Sequence, residues 1–475
     1  GLMLPYTPLH YLILEKESGF PEALIMTSGN VSDDPIIIDN DIGIKKLSNL
    51  ADAFLLHNRD INIRCDDSVV RVLSFHANEK IKPSGTIYPI RRSRGYAPLP
   101  IMLPFKGNEI LAVGGELKNT FCLTKNSNAY LSQHIGDLNN FETLSSFEDG
   151  INYFENIFNI HPQIIAHDMH PNYLSTNYAI KKSLDKGLPI TAIQHHHAHI
   201  ASCMADNFYH SDEPVIGVAF DGTGYGEDSA IWGGEFFVGG YNHFKRVAHL
   251  KYFPLPGGDS AIKEPWKVAL SFLYSSGIEW NSDLPPLVYG NGKPSLIGSP
   301  INILKKQLEK EINTIQCSSI GRLFDAVSSL IGIRHITNYE GQAAIELEAL
   351  TINNDDNTYH FAIAEENDVL IFDPAPVFID IIHDLNNKCP PPTISTKFHN
   401  ALCFLVVDIV ETLKHKYGLS KVVVSGGVWQ NMYLLENTIK NLISTDNSDV
   451  MFHKNVPTND GGISLGQSVI ANKIN

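Results

Sequence analysis

The sequence predicts an α/β fold in two unequal parts. A short α/β segment covers residues 1–100, and a larger unit over 108–475 carries a βββαβαβα order of elements twice, with a helical insertion. Three observations predict it. Apolar runs of period two and of period 3.6 alternate in that order through halves at about 108–210 and 211–475. A glycine-rich turn follows the first strand of each half, Gly114-Gly115-Glu116-Leu117-Lys118-Asn119-Thr120 and Asp221-Gly222-Thr223-Gly224-Tyr225-Gly226. Arginines at 59, 64, 71, 91, 92 and 94 set the first hundred residues apart from an otherwise acidic chain.

In the first part, apolar segments at 9–14 and 23–26 lead to Thr27-Ser28-Gly29-Asn30. A strand ending in Ser-Gly-Asn offers a hydroxyl, an amide and free backbone N–H groups to a phosphate or carboxylate, although Ser-Gly-Asn is also ordinary turn chemistry. Ser28, Asn30, Arg64 and Arg94 are candidates for that anion site, since arginine forks suit phosphate. Some of these charges are also placed to pair with Asp60, Asp66 and Asp67. Pro98, Pro100, Pro104 and Gly107-Asn108 read as a linker.

The first repeat reads as strands at 110–114, 121–124 and 129–132, a helix at 141–158, a strand at 164–167, a helix at 173–186 and a strand at 190–193. Its last helix opens with Gln194-His195-His196-His197-Ala198-His199. The second repeat reads as strands at 215–220, 230–238 and 245–250, a largely helical insertion at 264–352, and a helix at 397–417. Val422-Val423-Val424, a helix from Asn431, a strand near 450 and a helix from Asp460 complete it. Two such halves describe the actin-like fold of sugar kinases and Hsp70-type nucleotide-binding domains.

His195 and His199, four apart on a helix, point to one side and suit one metal ion. Asp221 and Asp460, in glycine-rich loops, are the candidate carboxylate ligands, although Asp460, taken alone at a helix start, reads more readily as a helix cap. Two imidazoles and two carboxylates suit Zn, Fe, Mn or Mg. Lys118, Asn119, Thr120, Gly222 and Gly224 in the two turns, and Gly426, Gly427 and Asn431 in Ser425-Gly426-Gly427-Val428-Trp429-Gln430-Asn431, are candidates to hold a nucleotide. In the insertion, Gly321, Asp325 and Gly341 either face an adenosine or serve helix capping and packing. His196 and His197 have no assigned role.

The 475 residues are enough for roughly two to four domains. A net charge of −16 weighs against non-specific nucleic-acid binding. No apolar run reaches the ~18 residues of a membrane span, and no stretch reads as a signal peptide. The six cysteines form no Cys-x-x-Cys pair and read as reduced thiols. The expectation is a cytoplasmic protein with neither membrane nor nucleic-acid partner. The opening at Gly1 reads as the interior of a larger unit.

These motifs, with Ser132-Gln133-His134-Ile135-Gly136-Asp137-Leu138, Gly257-Gly258-Asp259 and Glu264-Pro265-Trp266, resemble the HypF carbamoyltransferases of NiFe-hydrogenase maturation along essentially the whole chain. The resemblance implies that residues 1–100 are the later part of a YrdC-like domain, which makes carbamoyl-adenylate from ATP. It implies that 108–475 is a domain similar to the threonylcarbamoyl-transfer enzymes, with ATP and a divalent metal as cofactors. Carbamoyl phosphate would be the carbamoyl source, and the acceptor would be the C-terminal cysteine thiolate of the partner HypE. An acylphosphatase-like domain, zinc-finger motifs and the first half of the YrdC-like domain, which the family carries, are not in this sequence. A small-molecule kinase of the actin-like fold is the alternative activity, and a non-catalytic nucleotide-binding scaffold is a third. The paired histidines favour carbamoyl transfer over the kinase.

Overall fold

The computed structural model describes residues 2–17, 19–31, 34–73, 86–211, 213–292, 298–352, 356–446 and 448–475. Residues 293–297 of the expected insertion, and the side chain of Asp259, lie outside the described residues.

Two sheets organise everything after residue 100. The first has five strands in the order Ile101–Gly107, Cys122–Leu131, Ile110–Ala112, Ile164–Asp168 and Ile190–Ile193. The last three run parallel, and helices Phe141–Phe158 and Leu174–Lys186 make the crossovers. Two corrections to the sequence reading fall here. The expected strands at 121–124 and 129–132 are one strand. It changes partner at Asn126, whose backbone is left-handed (φ 55), from Ile110–Ala112 to Ile101–Gly107. The expected linker is itself the edge strand. Its apolar Ile101-Met102-Leu103 needs a sheet, and an edge is where Pro104 can lack an N–H at little cost.

The second sheet has nine strands. Its central path runs Ala362–Glu366, Val369–Asp373, His243–Leu250, Ile231–Gly240, Val215–Tyr225, Lys421–Ser425 and Asp449–Met451. The order around Val215–Tyr225 repeats the order around Ile110–Ala112, which is the expected duplication. The antiparallel hairpin Ala362–Glu366/Val369–Asp373 and helix Ala375–Asn386 had no counterpart in the sequence reading. The hairpin turns through Asn367 and Asp368, both at positive φ, the two-residue turn that suits the strand twist. Helices Pro265–Ser275, Pro285–Asn291, Pro300–Glu309, Ile320–Leu330 and Gln342–Glu348 form the insertion. A strand pair, Phe253–Pro256 with Thr314–Cys317, joins it to the sheet.

The core between these elements is aromatic and aliphatic. Phe236, Phe253, Phe272, Phe324, Trp266 and Trp429 are all fully buried in it. Helix Pro391–Tyr417 is long and apolar enough to cross a membrane by length and composition, contrary to the reading that no run reaches that length, but 78% of its apolar window is buried inside the fold. The six cysteines are free thiols, and Cys122, Cys203, Cys317 and Cys403 are buried.

In the first hundred residues, helices Pro8–Ile13 and Asn40–Leu47 accompany an antiparallel hairpin, Val69–Leu73 with Thr86–Arg91. Residues 23–26 do not form the expected strand. They pair with no strand among the described residues, and Leu24, Ile25 and Met26 are exposed. The hairpin docks on the larger unit. Buried Tyr88 donates to the Trp429 carbonyl at 3.2 Å, Arg71 donates to the Gln430 carbonyl at 2.9 Å and pairs with Glu348, and Asn459 Nδ2 donates to the Ile90 carbonyl at 3.0 Å.

Candidate functional site

The site begins where strand Ile190–Ile193 ends. Gln194 caps the next helix, accepting the His197 N–H at 2.9 Å, and helix His195–Asp206 drives into the core. The last helix, Ile463–Ile474, crosses it so closely that Gly466 packs on the Ala198 carbonyl with no room for a Cβ. That crossing delivers the loop before it. Asp206, at the far end of the His helix, accepts N–H bonds from Lys454, Asn455 and Val456 and fixes the loop's path. Asn459 then caps the short turn Asp460–Gly462 by accepting the Gly461 N–H at 3.0 Å. Asp460 is therefore free of capping and turns to the histidines.

His195, His199, Asp221 and Asp460 meet with one potential ligand atom each, all within 4.8 Å of one another. His195 Nε2 lies 3.3 Å from Asp221 Oδ2 and 3.9 Å from Asp460 Oδ1. His199 Nε2 lies 3.5 and 3.8 Å from the same two atoms. Three of the four are buried, and His199 Nε2 makes no hydrogen bond. Burial pushes the Asp460 carboxyl up to about 6, helped by the neighbouring Asp221 and opposed by His195. Burial pulls His195 down, but Asp168, Asp221 and Asp460 outweigh it and hold the ring well above its usual range. Burial also works against the Asp221 carboxylate, and the two histidines more than offset it. A buried and a half-buried carboxylate facing each other and an orphaned imidazole nitrogen are what a divalent cation would satisfy, so these residues fit a metal.

The glycine-rich turns converge on this cluster. Gly427 donates its N–H to Asp221 Oδ1 at 2.9 Å. Gly426 (φ 110) lies flat on the Phe220 backbone, and Gly321 lies against Gly222 and the Asp221 carbonyl. Gly224 sits against the rings of His195 and His196, whereas Gly222 faces open space. His196 is buried beside Trp232 and bonded through Nδ1 to Gln194, and His197 packs on Phe237 and Phe244.

Beside the cluster lies a cavity of about 500 Å³. Ser28, Asn30, Arg91 and Arg92 line it from the first part, and Lys118, Thr120, His134, Glu340, Asn459 and Gly461 from the second. Asp460 lies between two of these lining residues. Thr120 Oγ1 donates to the Gly461 carbonyl at 2.9 Å, tying the first turn to the Asp460 loop. Lys118 is paired with Glu340. Asn119 is spent on bracing its own turn through the Val113 and Gly115 carbonyls.

Other candidates lie elsewhere. Arg64 donates to the Ile36 carbonyl at 3.0 Å and Arg94 pairs with Asp67 at 2.9 Å, and neither lines the cavity. Asp325 is buried against Arg322 at 2.7 Å, with burial pushing its carboxyl up to about 6. Gly341 (φ 73) starts helix Gln342–Glu348, and Asn431 accepts the Leu434 N–H and donates toward His399. The sequence reading named Arg91 only within the arginine cluster, and did not single out His134 as a cavity residue, Glu340 or Asp168. His134 had drawn notice through its motif. Burial, with Arg91 and Lys118, pulls His134 down to about 3, so it stands neutral in the cavity.

Comparison with known proteins follows the same division. A family model described as "Carbamoyltransferase, Kae1-like Domain, second subdomain" matches residues 217–467, and "HypF Kae1-like domain" matches 105–206. A model of the Sua5/YciO/YrdC type, described as "Telomere recombination", matches 1–82. The carbamoyltransferase HypF of Synechocystis sp. is 39% identical over 98% of this chain, which spans 59% of that protein. A crystal structure of full-length HypF in the phosphate- and nucleotide-bound form superposes with a TM-score of 0.90 at 45% identity, covering all of this chain and 59% of that one. The HypF of T. kodakarensis gives a TM-score of 0.82 at 32% identity, covering 94% of this chain and 56% of that one. The chain belongs to the family of HypF carbamoyltransferases, with a YrdC-like part followed by an actin-like, Kae1-like part.

Proposed function

We propose that this chain transfers a carbamoyl group from carbamoyl-adenylate to the C-terminal cysteine thiolate of HypE, the step that leads to the cyanide ligands of NiFe hydrogenase. Carbamoyl phosphate, hydrolysed to carbamate with release of phosphate, and ATP, which releases diphosphate, supply the carbamoyl-adenylate, and AMP leaves on transfer. Residues 1–100 act as part of the adenylate-forming domain and 108–475 as the transfer domain. The single observation that carries this reading is the cavity, lined from both parts and lying beside the tetrad of His195, His199, Asp221 and Asp460.

In this reading Ser28 and Asn30 meet the adenylate from the first part of the chain, Lys118 and the Thr120 region meet its phosphate from the second, and the open backbone at Gly222, outside the cavity's lining, is a further donor to the phosphate. Gly426 and Gly427 hold the nucleotide side of the site and fix Asp221. His195, His199, Asp221 and Asp460 hold one divalent cation, which would act as a Lewis acid toward the phosphate and carbonyl oxygens. The acceptor sulfur attacks the carbamoyl carbon, the bond from that carbon to the phosphate oxygen breaks, and AMP leaves with the electron pair. The nucleophile belongs to the partner, so none is required here.

The test supplies carbamoyl-adenylate, made in trans by an intact YrdC-like domain, with a Cys-terminated HypE, and reads the terminal cysteine by mass spectrometry. A carbamoyl adduct that disappears in His199→Ala is expected. No adduct from protein shown to bind nucleotide and metal, or full activity and metal content in His199→Ala, would overturn the assignment.

A further inference from the structure

Asp168 ends strand Ile164–Asp168, which runs parallel to Ile190–Ile193 with Asp168 opposite Ile193. His195 lies two residues beyond Ile193, so strand register alone brings this carboxylate to the histidine. Both side chains are fully buried, and Asp168 Oδ2 meets His195 Nδ1 at 2.8 Å. The other oxygen, Oδ1, accepts the His170 N–H at 2.8 Å. The Asp168 carbonyl accepts from the Thr176 hydroxyl at 3.2 Å, so backbone and side chain are both anchored. With its two carboxylate oxygens engaged, Asp168 stands outside the tetrad, on the opposite side of the His195 ring.

We propose that Asp168 is the positioning residue of this centre. Its carboxylate accepts a hydrogen bond from His195 Nδ1–H and so fixes the tautomer and aim of the ring, leaving Nε2 as the atom presented to a divalent cation. A carboxylate behind a ligating imidazole restrains the ring and strengthens it as a donor. The inference rests on the metal reading of the tetrad. It is specific to one ring, because His199 shares the two carboxylates but has no such bond to Asp168.

The experiment uses the intact protein, labelled with ¹⁵N-histidine and metal-free at alkaline pH, with the His195 ring assigned from its loss in His195→Gln. The expected result is an Nδ1–H tautomer in the wild type and loss of that preference in Asp168→Asn. Zn²⁺ is the probe of binding, measured by competition with a chromophoric chelator. Asp168→Asn is expected to bind it roughly 10–100-fold more weakly, and Asp168→Glu to recover part of the loss. An Nε2–H tautomer in the wild type overturns the proposal without any variant. So does Asp168→Asn with an unchanged tautomer and unchanged affinity. A wild type that shows Nδ1–H yet binds no Zn²⁺ sinks the metal reading instead, leaving the hold of Asp168 on the ring established.

Discussion

The Gly427 N–H binds Asp221 Oδ1 at 2.9 Å, and this leaves Oδ2 alone to face the two histidines. Residues 206 positions apart thus share one task. A Cβ on Gly427 would stand 2.9 Å from that same oxygen, too close for Asp221 to stay. Gly427→Ala is expected to weaken divalent-metal binding by at least tenfold, about 1.4 kcal/mol, with little change in the circular dichroism spectrum. Chelator competition reads the affinity, and unchanged binding would mean that Asp221 is not held by this bond.

The expected turn at Asp221–Gly226 is the irregular far end of strand Val215–Tyr225, and its two inner glycines should separate two properties. A methyl on Gly224 would collide with His196 Cε1 and stand 2.7 Å from His195 Cδ2, and both rings are buried. Gly224→Ala is expected to cost about 1–3 kcal/mol of stability, as overpacking does, together with metal affinity. A methyl on Gly222 meets nothing within 4 Å. Gly222→Ala should keep both and lose nucleotide affinity alone, if the backbone there receives a phosphate. Thermal unfolding beside nucleotide titration distinguishes them.

These residues also mark what a sequence can tell. Periodicity located the repeats, because amphipathic elements write their burial into local pattern. The histidine pair was readable from spacing, and the glycine-rich turns announced close approach. What approaches was not readable: Gly224 meets imidazole rings and Gly426 meets the Phe220 backbone. Asp168 and Glu340 carry no local signature, since their meaning comes from strand register and from a fold contact across 222 residues. Arg64 and Arg94 stood out by charge, yet each is spent on an intramolecular partner and neither lines the cavity. The edge strand Ile101–Gly107 was hidden by Pro104 within it and by Pro98 and Pro100 before it.

Lys118 and Glu340 close one side of the cavity as an ion pair, with the Glu340 side chain about half exposed. Such a pair is worth about 0–1 kcal/mol to stability, so neither substitution should disturb folding much. Their effects on ligand should oppose each other. Lys118→Ala removes a charged donor for phosphate and is expected to weaken nucleotide binding by about 10–100-fold. Glu340→Gln frees the ammonium group and should tighten binding. Isothermal titration with AMP and with ATP tests both, and parallel losses in the two variants would show that the pair serves packing rather than phosphate.

Acid should unfold this protein through histidines that the fold keeps neutral. Burial pulls His197 and His453 down to about 3 and His399 to about 4, from 6.5. The unfolded chain takes up a proton at each position as pH falls below 6.5, while the folded chain resists until its own lower value. Stability is therefore whole above about 6.5 and lost as pH falls toward 3–4. By linkage each group costs about 2 kcal/mol at pH 5. His197 offers a clean test, because its ring packs on Phe237 and Phe244. His197→Phe keeps an apolar ring there and should flatten the fall of unfolding free energy between pH 6 and 4 by one proton's worth, about 1.4 kcal/mol per pH unit. Urea unfolding across that range reads the slope, and a slope equal to the wild type's would mean that His197 already protonates in the folded state.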